Sequence, residues 1–495
     1  MADYFCDTLP SDPQPQLGKI LVTGATGYVG GRLVRELTKR GYQVRVMVRR
    51  ESPEQTCLWP DSEIVVGDAL DKNALLRALE GIYCAYYLIH SLTLGPEEFA
   101  AKDLQSACNF RAAAEDMNVK RIIYLGGLGL EGGQGVLSDH LQSRTEVALE
   151  LSKGNVPATI LRAAIIIGSG SAPYEIIQNL IKNLPIILTP SGTNTLCQPI
   201  GIRDVVKYLV GVLEKPETSG RTFDIGSDDR LTYKNMLRIM AEVFELKRMF
   251  VPVPVFNIPF YAYVASQVTP VPAELIRCLF LSLRNEVICH DNSIREILPF
   301  TPLSYRESIV RAIARERRDR VYTRWSDHYP VAHETHPRLH ELSPPPQYTS
   351  SYAIDTPKKP GSLYHSFCRI GGKEGWFHNN WMWRLRGMID KLFLGVGSTR
   401  GRRSTATLKT NDVIDFWRVE DLQPSRRLLL RAEMKLPGKA WLEFLVEEMD
   451  VNSRFFINAY YETKSVWGHI YWYVFLPFHF MIFKNLLKQI EKRSG

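Results

Sequence analysis

Long uninterrupted apolar runs are missing from this sequence. The nearest, Ile470 to Phe483, is broken by Pro477 and His479 and falls short of the ~18 apolar residues that cross a bilayer. Paired-cysteine patterns are missing too. Cys6, Cys57, Cys84, Cys108, Cys197, Cys278, Cys289 and Cys368 form no CxxC and no His/Cys ligand spacing. Most sit in apolar runs, which predicts buried thiols in a reducing, cytoplasmic setting and no metal. Residues 1–16 carry Asp and Pro without an apolar core, so they predict a disordered leader rather than a secretory signal. No excess of one charge sign stands out: 61 Lys and Arg against 53 Asp and Glu give a net charge of +8. The arginine clusters at Arg315/Arg317/Arg318 and Arg400/Arg402/Arg403 read as solvated faces, and no nucleic-acid partner is expected.

What is present is concentrated near the start. Lys19-Ile20-Leu21-Val22, a β-branched run, leads directly into Gly24-Ala25-Thr26-Gly27-Tyr28-Val29-Gly30, and a helical pattern (Leu33, Val34, Leu37) follows. Three glycines between a strand and a helix allow a tight turn and close backbone approach. The new helix then offers free N–H groups and its positive end to a pyrophosphate. The sequence therefore predicts a dinucleotide site in a βαβ unit.

Strand-like runs at 19–23, 43–48, 63–66, 84–89, 121–126 and 158–162 alternate with helical ones at 28–40, 72–80, 97–117 and 139–153. That rhythm predicts an α/β, doubly wound parallel sheet over residues 17–170. Residues 171–320 break the rhythm, are richer in proline, and read as a substrate lobe of the same unit. Residues 321–360, with Ser343-Pro344-Pro345-Pro346 and Pro357-Lys358-Lys359-Pro360, have the composition of a flexible linker. Its His328, His333, His336 and His340 lack partners at ligand spacing. Residues 361–495 open with a Trp-rich segment (Trp376, Trp381, Trp383) and continue with four strand-like runs at 413–419, 427–436, 440–448 and 454–461. A long helix at 467–491, bent at Pro477, closes a separate α+β domain.

The second strand ends Val48-Arg49-Arg50, where an NAD site places an acidic residue on the adenosine ribose. A guanidinium pairs with a 2′-phosphate instead. Arg49 and Arg50 therefore favour NADP(H) over NAD(H).

With Val66-Gly67-Asp68, Tyr87-Leu88-Ile89-His90-Ser91, Tyr124-Leu125-Gly126-Gly127-Leu128 and Leu161-Arg162-Ala163-Ala164-Ile165-Ile166-Ile167-Gly168, residues 17–320 resemble an atypical short-chain dehydrogenase/reductase of the NmrA-like kind. Residues 361–495 resemble the domain of unknown function DUF2867. The first resemblance implies an oxidoreductase whose dinucleotide is bound by Thr23, Gly24, Thr26, Gly27, Tyr28, Val29, Gly30, Asp68, Ala69, Leu88, His90 and Gly126. Asp68 stands where such folds contact the adenine amino group; as a helix N-cap it would have a purely structural role. Gly168-Ser169-Gly170-Ser171 stands where they contact nicotinamide, or is an ordinary turn.

The family pattern of a Ser or Thr after the fifth strand and a Tyr-x-x-x-Lys on the next helix is not matched. Gly126 and Gly127 stand at the first position, and His140-Leu141-Gln142-Ser143-Arg144 at the second. Spacing of four puts His140 and Arg144 on one helix face. Imidazole can serve as a general acid near neutral pH, so His140 is the candidate proton donor and Arg144 the candidate ribose ligand. The alternative is a helix that has lost catalysis, leaving an NADPH-binding sensor or scaffold.

In the C-terminal domain, the aromatic strands and closing helix suggest a helix-grip, START-like fold. Their aromatics either fill a core or line an apolar cavity. The expected substrate is a hydrophobic small molecule. The aromatic stretch 470–483, followed by Lys484, Lys488, Lys492 and Arg493, also suggests peripheral membrane contact through the C-terminal helix.

Overall fold

The computed structural model describes the chain apart from residues 1–3, 50, 52, 91–95, 130–136, 254–256, 319–320, 322, 328–338, 340–344, 372–374, 378–407, 411, 435–436 and 450–451. Two compact units emerge: residues 1–265 with 271–328, and residues 329–495 with the short stretch 266–270.

The first unit is built on seven parallel strands: β1 Lys19–Thr23, β2 Val44–Val48, β3 Glu63–Val66, β4 Ile82–Tyr87, β5 Arg121–Gly127, β6 Ala158–Ala163 and β7 Thr222–Ile225. Their order is β7-β6-β5-β4-β1-β2-β3. Chain direction across the sheet reverses between β1 and β4, and ligands of such sheets bind beyond the strand ends at that point. Helices α1 Gly30–Lys39, α2 Lys72–Leu79, α3 Pro96–Asp116, α4 Asp139–Ser152 and α5 Ile202–Glu214 accompany the strands. β1 is buried because it is central. Its Ile20 and Val22 pack with Leu33, Val34 and Leu37 of α1 on one face, while Leu21 joins Leu75 and Leu79 of α2 on the other.

Two boundaries differ from expectation. The leader is not disordered over its described residues. Phe5, Cys6 and Leu9 are buried, and the backbone N–H groups of Phe5 and Cys6 donate to the Glu36 carboxylate at 2.9 and 3.0 Å. The sparse apolar residues act as anchors, and a buried acid on α1 satisfies the backbone that crosses it. The linker is also shorter than 321–360. At its start, the Trp325 N–H donates to the Gly170 carbonyl at 2.8 Å, and the indole Nε1–H reaches Glu175 at 2.6 Å. At its end, Tyr348–Thr356 is a strand. The histidines 328, 333, 336 and 340 lie outside the described residues.

The second unit is a six-stranded antiparallel sheet. Its strands are β8 Tyr348–Thr356, β9 Val413–Ile414, β10 Trp417–Gln423, β11 Arg427–Ala432, β12 Lys439–Glu448 and β13 Ser453–Glu462, in the order β8-β13-β12-β11-β10-β9. The run expected at 413–419 is two strands, because Asp415 turns the chain with a φ of 54°. Helix α6 Pro360–Phe367 and the long α7 Val466–Arg493 pack on this sheet. Phe367 stacks on Phe444 and Phe455 with ring centroids 5.6 and 5.7 Å apart, so these aromatics fill a core. Trp376 is buried and donates to Asp415 at 2.9 Å; Trp381 and Trp383 lie outside the described residues.

Candidate functional site: the glycine cradle and a histidine pair

The loop after β1 is locked onto β4. Thr23 Oγ1 donates to the Tyr86 carbonyl at 2.8 Å and accepts the Leu88 N–H at 3.3 Å. Gly24 follows at a φ of +67°, a left-handed conformation that favours glycine. A Cβ there would lie 2.4 Å from the Leu88 carbonyl oxygen, and a Cβ on Gly30 2.3 Å from that of Gly24. The Gly27 N–H closes the turn on the Gly24 carbonyl at 2.9 Å. Thr26 and Val29 are half-buried in the loop. Val29, at the N-cap of α1, supplies no side-chain cap, and the Gly31 and Arg32 N–H groups turn back to the carbonyls of Gly27 and Val29 at 3.1 Å each, so what α1 offers an anion is its Gly30 amide and the positive end of its dipole. The cradle therefore fits a pyrophosphate.

Tyr28 faces inward. The Arg32 guanidinium lies 4.2 Å from its ring centroid, and burial pushes its phenol up to about 12. Arg32 also donates to the carbonyls of Tyr28 and Ser169 at 2.9 Å each and of Thr323 at 3.0 Å. The segment taken for linker thus braces the cradle. Gly168–Ser171 forms a turn, and Ser171 caps the helix Ala172–Asn183 through the Tyr174 N–H at 3.3 Å.

At the adenosine end, Arg49 is exposed just beyond β2, and Arg50 lies outside the described residues. Asp68 is exposed and accepts the Leu70 N–H at 2.9 Å. It does not cap α2; Asp71 does, through the Asn73 N–H. Ala69 is buried, and its carbonyl accepts from Asn109 at 3.3 Å.

The other candidates meet beyond β4 and β5. Leu88 and His90 continue from β4, and His140 opens α4. The rings of His90 and His140 lie 5.0 Å apart. His90 Nδ1 is 3.0 Å from the Asp103 carboxylate on α3, which selects the tautomer with the proton on Nδ1. His90 Nε2 and His140 Nδ1 are buried and have no hydrogen-bond partner among the described residues.

Burial lowers the His90 pKa. Arg144 adds to that shift, against an opposing pull from Asp103. Burial, then His90, then Arg144 hold His140 well below the ordinary imidazole value. The near-neutral titration expected of His140 is therefore corrected: its environment keeps it uncharged at neutral pH. Arg144 donates to the Leu125 carbonyl and lies 5.3 Å from the Tyr124 ring centroid. Gly127 lets α4 approach, since a Cβ there would stand 3.2 Å from Leu141, whereas a Cβ on Gly126 would meet the Tyr124 ring at 3.1 Å.

Sequence reading missed Asp103. It shares a stripe of α3 with Ala107, Phe110 and Ala114, all buried. An acid on an apolar stripe was the available signal, since a buried charge needs a partner. Among the described residues, no group of His, Cys, Asp and Glu is arranged to hold a metal ion.

Comparison with known proteins gives residues 16–269 to the NmrA-like family model, slightly more than half of the chain. The chain belongs to the NmrA-like family. Residues 342–486 match the domain of unknown function DUF2867, which moves the start of the second domain ahead of 361. Similar proteins include the photosystem II assembly factor Ycf39 of Trieres chinensis, 24% identical over 237 residues, or 48% of this chain and 72% of that one. The ceramide reductase of Caulobacter vibrioides is 27% identical over 242 residues, 48% of this chain and 74% of its own. Among solved structures, the triphenylmethane reductase of a Citrobacter species complexed with NADP(H) aligns with a TM-score of 0.49 at 20% identity. That alignment covers 59% of this chain and 99% of the other.

Proposed function

We propose that this protein is an NADP(H)-dependent oxidoreductase acting on a hydrophobic, lipid-like small molecule. The observation that carries the reading is the joint placement of a phosphate cradle and an Asp103–His90···His140 cluster beyond the ends of β1, β4 and β5. NADP(H) is favoured by Arg49 at the end of β2, where an acidic side chain would repel a 2′-phosphate. The lipid-like substrate is supported by relatives, among them the ceramide reductase and the sterol demethylase protein B of Methylococcus capsulatus, 28% identical over 169 residues.

When bound, the dihydronicotinamide supplies a hydride. Gly24, Gly27 and the first turn of α1 hold the pyrophosphate. Asp103 fixes the His90 ring. His140, uncharged, donates a ring N–H hydrogen bond to the carbonyl oxygen of the substrate and stabilises the negative charge that this oxygen gains, and the proton that completes the alcohol comes from water. Arg144 is a positioning residue that ties α4 to the end of β5.

The observation favouring a non-catalytic NADPH-binding role is the same depressed His140 pKa, which leaves no imidazolium donor at neutral pH. Calorimetric titration tests the cofactor reading. Wild type should bind NADPH more tightly than NADH, and Arg49→Ala should lose about 10- to 100-fold for NADPH alone. Equal affinity of wild type for both cofactors would sink it.

A further inference from the structure

Helix α7 is apolar on two faces. One face carries Trp472, Phe483, Leu486, Leu487 and Ile490 and is buried, packed with β8, β13 and α6. The opposite face bears Trp467, Ile470, Tyr473, Val474, Phe478 and Met481, at exposures from 44% to 75%. A helix on a protein surface presents polar side chains outward, and an exposed apolar patch of this extent marks an interaction site.

The stripe has a direction. Its members recur at three- and four-residue steps along one line, so they are contiguous on the helix. The same line continues as Lys484, Lys488 and Lys492, all exposed. From Val466 to Phe483 the helix has no Asp, Glu, Lys or Arg, whereas its last turns are basic. The helix is also long and apolar enough to cross a bilayer by length and composition, which the interrupted run alone did not suggest.

We propose that this face of α7 docks on the surface of an anionic bilayer. The apolar, aromatic segment enters the boundary between headgroups and acyl chains, and Lys484, Lys488 and Lys492 meet the lipid phosphates. Three observations select this occupant. Trp467 and Tyr473 are amphipathic rings suited to the headgroup level. The run of lysines in line with an uncharged aromatic stripe is the pattern of an interfacial helix and complements anionic lipid. The buried stripe is committed to the sheet, so only one side of the helix is available, which suits lying in the interface rather than crossing it. This inference stands independently of the redox reading.

The test uses the full chain in flotation with vesicles of phosphatidylcholine alone or mixed with phosphatidylglycerol. Wild type should float with the anionic vesicles and much less with the neutral ones. Lys484→Gln with Lys488→Gln should lower anionic partitioning about 30-fold. Trp467→Glu with Val474→Glu should abolish flotation. These positions are exposed, so circular dichroism and NADPH binding should stay as in wild type, which separates docking from misfolding and from failure of the cofactor reading.

Absence of flotation, or equal flotation with both vesicle types, overturns the proposal. So does resistance to alkaline carbonate extraction, which would mean that the helix spans. A vesicle-free, concentration-dependent dimer abolished by Trp467→Glu with Val474→Glu would assign the stripe to a second copy of the chain instead.

Discussion

Gly24→Ala is the most informative single change in the cradle. Two separate costs meet there. Holding a non-glycine residue at a φ of +67° costs about 1–2 kcal/mol. The new Cβ would also stand 2.4 Å from the Leu88 carbonyl oxygen and 2.7 Å from its carbon. Ordinary contact begins near 3.4 Å, so β1 and the segment after β4 must part by roughly 1 Å, and forced repacking of that kind costs about 1–3 kcal/mol. The total is about 2–5 kcal/mol. Gly41→Ala is the matched control: its φ is +87°, and nothing lies within 4 Å of the added Cβ. It should cost only the conformational part.

Urea unfolding of both variants, followed by far-UV circular dichroism, measures the difference. Calorimetry on the same samples should show weakened NADPH binding for Gly24→Ala and wild-type binding for Gly41→Ala. If the two variants lose equal stability and bind NADPH alike, then the close approach of Gly24 to Leu88 is irrelevant and the cradle argument fails.

Other perturbations follow the same logic. Phe5→Ala should destabilise the first unit by about 3 kcal/mol in denaturant titration, because a buried core aromatic is removed; a freely disordered leader would give no change. The two histidines bear on pH. Their folded pKa values lie below the ordinary 6.5, so the unfolded chain binds more protons just below that value. Their contribution is therefore fully present above about pH 6.5 and falls as the pH drops further. The urea midpoint should decline over that window in wild type, and His90→Gln with His140→Gln should flatten the decline. Asp103→Asn removes the anion beside His90 Nδ1 and should lower the His90 pKa further, read as an imidazole proton chemical-shift titration.

The nucleotide half was legible because its signals are local. The β-branched run 19–23, the glycine spacing and the strand–helix rhythm each constrain a few neighbouring residues, and six of the seven strands follow from them; the seventh, Thr222–Ile225, joins the sheet from the stretch expected to be substrate lobe. The four expected helices lie within two residues of their observed ends for the same reason, whereas α5 was not foreseen. What escaped depends on contacts distant in sequence. Phe5 and Cys6 look like leader until Glu36 is placed beneath their backbone. Tyr348–Thr356 has the polar alternation of an edge strand, which composition alone cannot tell from linker until β13 lies alongside. Asp103 lies thirteen residues beyond His90, and only the packing of α3 against the sheet joins them. His140 and Arg144 were found from their spacing. Their electrostatic state was not, since it depends on burial and on His90.

The proposed function requires hydride transfer from NADPH to a hydrophobic acceptor at this site. Its most direct test incubates the full chain with an apolar metabolite extract and NADPH deuterated at the transferable position of C4, made in each stereochemical form, and follows the label by mass spectrometry. Deuterium should be incorporated into an apolar product with one of the two forms, with labelling reduced by about 10²–10³-fold in His140→Ala while NADPH binding is retained. Tight NADPH binding with no label in any apolar product, or labelling unchanged by His140→Ala, would contradict it.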